Sequence, residues 1–168
     1  SADQLRQLRD RRFTFGSESS TSGRLMPQYF MGQNGVKPTD LAGGRPGFSG
    51  SHDATIALVQ SGAYEAGVLN EQVWRSNMKA GRVDPERVKV IWRTPPYADY
   101  HWLARPGLDQ RFGVGFTNRI QAALLGLSLD QSRPKQILEL FGAETFIPAK
   151  ATDYDRIEAV GRKLGKIR

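Results

Sequence analysis

The chain has 168 residues, of which 39% are apolar and 24% charged, with no cysteine and a formal net charge of +7. This size and apolar content suffice for a core, in one domain or two small lobes, while zero cysteines exclude disulfides and thiolate metal sites. No run approaches the roughly eighteen apolar residues of a membrane span, and Ser1 to Arg12 is too polar to be a signal peptide, so an exported form is expected to have lost its signal already.

In chain order, Arg12 to Phe15 reads as a short strand and Gly23 to Gln33 as the first helix, with Leu25, Met26, Tyr29 and Phe30 on its apolar face. Between them stands Ser19-Ser20-Thr21-Ser22-Gly23. Gly43-Gly44-Arg45-Pro46-Gly47 is a loop leading to Phe48, and Ser51-His52-Asp53 then opens a second helix that ends at Ser61. Tyr64 to Leu69 is a strand, Asn70 a helix cap, and Glu71 to Ala80 a third helix. Val88 to Trp92 and Tyr100 to Ala104 are expected to be strands, with Pro95-Pro96 between them marking a hinge or lobe crossing near residue 97. Beyond it Phe116 to Leu127, Ile137 to Phe141 and Tyr154 to Leu164 have helical spacing. Strands alternating with helices of this length imply parallel βαβ units, whose ligands sit where strand carboxyl ends meet helix N-termini.

Two stretches occupy such positions. Hydroxyls and unsatisfied backbone N–H groups at the start of a helix, with the macrodipole behind them, make an anion cradle out of Ser20, Thr21, Ser22 and Gly23. Ser51 and His52 open the second helix in the same manner, so two helix N-termini facing one cleft would hold a tetrahedral oxyanion. The plainer alternative is capping, since Ser, Thr and Asp are the ordinary N-cap residues, and a histidine near a helix start is commonly a solvated side chain. His52 and His101 are the only imidazoles and fit no metal-ligand spacing, so no metal or other cofactor is expected.

The positive charge gathers at the ends. Residues 1–12 hold four Arg against two Asp, and residues 150–168 hold six Lys or Arg against three acids, which makes +5 of the +7. Tyr154, Ile157, Val160 and Leu164 form one stripe of the last helix and leave its cations on a solvated face, so nucleic-acid binding is not expected. A Ser/His hydrolase is disfavoured because neither Ser20 nor Ser22 lies in a G-x-S-x-G elbow and Asp53 adjoins His52 in sequence. The chain is read as not an enzyme, with an anion-sensing regulatory domain as a further alternative.

The series Phe15-Gly16, Ser20-Thr21-Ser22-Gly23 with Pro27, Gly50-Ser51-His52-Asp53-Ala54, Glu71, and Pro95 to Asp99 resembles the phosphonate-binding periplasmic proteins of ABC importers. Those proteins have the type II periplasmic binding fold. The likeness runs from Leu8 to the Tyr154 helix, whereas members are about twice as long and the first part of their lobe one has no counterpart here. It implies an α/β architecture in which residues 1–97 are lobe two, the anion-binding lobe, and 98–168 are a mostly helical return segment of lobe one. Ser20, Thr21, Ser22, Ser51 and His52 would donate to the phosphonate oxygens, with Gly23 permitting close approach. Glu71 and Asp99 match positions that hold the ammonium of aminoalkylphosphonates, which favours a zwitterionic ligand; phosphate, phosphite and selenate are the alternatives. Ala98-Asp99-Tyr100-His101-Trp102 departs from the family in being more aromatic. The resemblance further implies a periplasmic or extracytoplasmic location and an ABC permease as partner. An uncovered apolar face would make a homodimer or a domain-exchanged oligomer plausible.

Overall fold

The structure is a computed structural model that describes residues 2–168. It is α/β and divides into two compact units, residues 2–97 with 154–168, and residues 98–153.

In the first unit, the short helix α1 (Ala2–Arg6) leads to strand β1 (Phe13–Phe15). A turn of π-helix at Thr21–Leu25 continues into α2 (Met26–Gln33), and β2 (Gly47–Phe48), α3 (His52–Gln60), β3 (Ala66–Gly67) and α4 (Glu71–Lys79) follow. The sheet has the order β2-β1-β3 with both pairings parallel, Thr14 lying opposite Gly47 on one side and Gly67 on the other. A central parallel strand is buried on both faces, which is why Phe13, Thr14 and Phe15 form an unbroken buried run. The buried Thr14 hydroxyl donates to the Phe15 carbonyl at 2.9 Å. Glu65 fixes the register at the strand starts by accepting from the Arg11 guanidinium at 2.9 Å and the Arg12 backbone N–H at 3.0 Å.

Leu5, Leu8, Phe13, Phe15, Met31, Val36 and Leu41 make one core cluster, and Met26, Phe30 and Val160 a second. Val160 belongs to α8 (Asp155–Lys163), so this last helix packs on α2 inside the first unit, where residues 98–168 had been expected to form one return segment. Its stripe of Ile157, Val160 and Leu164 finds Phe30 and Tyr29, while Arg156 lies over the Phe30 ring at 5.2 Å and Lys163 over Tyr29 at 5.5 Å.

The second unit is helical, with α5 (Leu108–Phe112), α6 (Phe116–Leu125) and α7 (Ser132–Phe141). Asp109 fastens α5 to the start of α6 by accepting from the Gly115 and Thr117 N–H groups and the Thr117 hydroxyl at 3.0, 2.8 and 2.7 Å.

Two expected strands are absent. Val88–Trp92 and Tyr100–Ala104 pair with no strand among the described residues, and a strand needs a ladder partner. Trp92 instead contributes its ring, 5.7 Å from that of Phe30. Conversely, β2 takes in Gly47, which reads locally as loop.

Candidate functional site

The carboxyl ends of all three strands deliver loops to one place. The Gly16 N–H donates to the Gly23 carbonyl at 2.8 Å, the Ser49 N–H to Phe15 at 2.9 Å, the Gly50 N–H to Gly16 at 3.2 Å and the Val68 N–H to Thr14 at 3.2 Å. These bonds bring the starts of α2, α3 and α4 around the end of β1.

Ser20 caps the first of them, its Oγ accepting from the Gly23 N–H at 2.8 Å, and Ser51 caps α3, accepting from the Ala54 N–H at 3.1 Å. Both cap and anion site are compatible in these residues, since a capping hydroxyl uses a lone pair and keeps its hydrogen to donate. The π-type turn at Thr21–Leu25 widens the first coil of the helix, a feature frequent at functional sites. Thr21 and Ser22 lie in its first turn, where backbone N–H groups have no acceptor within the helix. Ser22 is buried and Thr21 half-buried.

His52 Nδ1 accepts the Asn70 backbone N–H at 3.3 Å, which places the ring proton on Nε2. A methyl group on Gly23 would stand 2.9 Å from Ser20 Oγ and 3.2 Å from His52 Cε1. Gly23 therefore makes room for the cap and the imidazole of its own site. A cavity of about 300 Å³ opens here, lined by Ser17, Ser20, Gly50, Ser51, His52, Asp53 and Val73. Asp53 accepts from Asn77 Nδ2 at 2.8 Å, a bond that ties α3 to α4.

Of the residues singled out from sequence, Ser20, Gly23 and His52 are brought together by these contacts, Ser22 accepts from Asn70 Nδ2 at 3.4 Å, Thr21 adjoins them in the chain, and Ser51 lines the same cavity. Glu71 is engaged elsewhere. One of its carboxylate oxygens accepts from Arg75 at 2.8 and 3.1 Å and from Arg93 at 3.1 Å, and the Arg75 hydrogen bond is the main cause of a pKa below the ordinary carboxylate value. Those two guanidinium groups account for the Glu71 charge without a ligand ammonium. Asp99 is exposed and lies in the second unit. The residue that sequence reasoning placed only as a cap is Asn70, which is 4% exposed and bonded to both Ser22 and His52.

A family model described as ABC transporter, phosphonate, periplasmic substrate-binding protein matches residues 1–154. This chain belongs to that family. The family is a substrate-binding transporter component and not an enzyme, which removes the hydrolase alternative. Membership implies an extracytoplasmic place of action, and among the described residues no helix is long and apolar enough to cross a membrane. A relative in Prochlorococcus marinus (strain MIT 9301), the "Probable ABC transporter phosphite binding protein PhnD1", is 52% identical over 164 residues, covering 98% of this chain and 55% of that protein. The solved structure of PhnD1 from Prochlorococcus marinus (MIT 9301) in complex with methylphosphonate matches with a TM-score of 0.93 at 51% identity, over 99% of this chain and 61% of that one. The type II periplasmic binding fold is thus that of the chain, which spans 55–61% of the length of this relative.

Proposed function

We propose that this chain supplies the oxyanion-holding half of an ABC importer's substrate-binding protein, taking phosphite or a small alkylphosphonate such as methylphosphonate. The observation that carries the reading is the gathering of Ser20, Ser22 and His52 at neighbouring helix N-termini, with Asn70 joined to two of them. Two helix starts supply donors for the phosphoryl oxygens, and the fourth substituent, hydrogen or methyl, points away from them. N–H groups and dipole ends attract the anion without a cation, so Ser20, Thr21, Ser22, Ser51 and His52 are the proposed contacts. The PhnD1 relative adds chemistry of the same class, being named for phosphite and solved in complex with methylphosphonate.

The remaining half of such a protein would close over the ligand, and the closed form would be presented to a permease. An aminoalkylphosphonate is the weaker candidate, because Glu71 is already paired with Arg75 and Arg93. Asp99 as a second ammonium contact belongs to that reading.

The test is a titration of ¹⁵N-labelled chain with methylphosphonate, phosphite, phosphate and 2-aminoethylphosphonate, which registers even millimolar binding. Shifts confined to residues 20–23, 51–53 and 70 for the first two ligands, reduced in Ser22→Ala, are expected. A folded chain that leaves these amides unmoved by both would overturn the proposal.

A further inference from the structure

We infer that Asn70 is a positioning residue of this site, holding Ser22 and His52 in the states in which both donate to the anion; this rests on the oxyanion reading above. Asn70 precedes α4 with φ −68° and ψ 135°, and its Oδ1 accepts from the Gln72 and Val73 N–H groups at 2.8 and 3.4 Å. Because two N–H groups face that oxygen, the amide cannot be flipped, and Nδ2 is the atom that faces Ser22 Oγ at 3.4 Å.

Capping uses the oxygen alone, so Asp or Ser would serve α4 as well. What Asn adds is the nitrogen. A Ser22 hydroxyl that accepts from this amide must turn its own hydrogen elsewhere, and the adjoining first turn of the Thr21–Leu25 segment is where the anion would lie. On its backbone side the same residue fixes the imidazole, since the Asn70 N–H occupies His52 Nδ1 and leaves Nε2 as donor. One buried residue thereby orients donors from two other helix starts, and the Val68 bond to β1 holds its own position. At 3.3 and 3.4 Å the two bonds are long, so their effect is direction more than strength.

Two substitutions separate positioning from capping. Asn70→Asp keeps the cap and reverses the other bond, so Ser22 donates to the new carboxylate and is lost to the anion. Asn70→Ser keeps a neutral cap that cannot reach Ser22. With methylphosphonate as probe, both are expected to melt close to the wild-type temperature and to bind about ten-fold more weakly or worse. In a Ser22→Ala background Asn70→Ser should add little further loss. Ring ¹⁵N shifts of His52 without ligand should show the proton on Nε2 in the wild type and in both variants, which retain the backbone N–H. Variants that bind as the wild type does, an undiminished loss in the Ser22→Ala background, or a wild-type proton on Nδ1 would each overturn the inference. A wild type that binds no methylphosphonate is a different failure, and sinks the oxyanion reading together with the inference built on it.

Discussion

The two compact units differ in where their apolar side chains go. Among the described residues, every core side chain but one lies in residues 1–97 or 154–168, and Leu138 alone stands for residues 98–153. The second unit has apolar residues in quantity, but Leu103, Val114 and Leu140 are 84%, 93% and 85% exposed. A sheet offers two faces to cover, and here α1, α2 and neighbouring loops bury β1 completely; helices with one apolar stripe each need another element to press it against. Full burial of a large apolar side chain contributes about 1.5–3 kcal/mol, so the first unit has the means to hold its shape while the second has little. The donors proposed for the oxyanion sit on the well-packed unit. That location suits a site whose donors must be fixed before the ligand arrives, because orientation gained in folding need not be gained again on binding.

The comparison is tested most strongly in the core. Phe15→Ala is expected to cost about 3–5 kcal/mol and to lower amide protection throughout residues 1–97, whereas Leu103→Ala should change stability by no more than about 0.5 kcal/mol. Thermal melts with hydrogen exchange read both, and equal losses would break the contrast.

A smaller effect sharpens it at the site. Gly23→Ala sets a methyl against Ser20 Oγ and the His52 ring, and should cost about 1 kcal/mol through the disturbed cap while abolishing the methylphosphonate shift of the His52 resonances. Retained shifts would show that the ring has room to give.

The smallest effect is in acid. Hydrogen bonds, chiefly from the Arg12 N–H and then the Arg11 guanidinium, lower the Glu65 pKa, and those from the Thr117 hydroxyl and N–H lower that of Asp109. A carboxylate with a lowered folded value binds fewer protons folded than unfolded. It stabilises fully above its ordinary value, and that share is lost as pH falls through the lowered one. Glu65→Gln should flatten the acid limb for probes in the first unit, and Asp109→Asn for probes in the second. Melts followed by unit-specific amides decide it, and crossed effects would mean that the units unfold together.

Much of the first unit was legible because its signals are local. β1, α3 and α4 follow from alternation, helical spacing and caps at Ser51 and Asn70, and the order of motifs from Phe15 to Asp99 carried the family and its anion chemistry. Features that depend on a partner elsewhere were not legible. Val88–Trp92 has a strand's alternation yet finds no neighbour to pair with, while Gly47 and Phe48, with no pattern of their own, become β2 because β1 offers an edge. The five-residue α5 is too short to show a period. Glu71 shows the same division, since Arg75 at i+4 can be read from helix geometry and Arg93 cannot.

The sequence by itself determined the α/β class, the helix starts that carry Ser20, Ser51 and Asn70, and the donor types on which the oxyanion proposal rests, because caps, periodicity and donor types are properties of neighbouring residues. Only the tertiary structure decided that α8 joins the first unit, that Glu71 is paired with two arginines, and that Asn70 reaches Ser22 across 48 positions of sequence. Each of these depends on which surfaces meet when distant segments are buried together. Burial rewards apolar contact wherever in the chain it comes from, so local pattern does not record it.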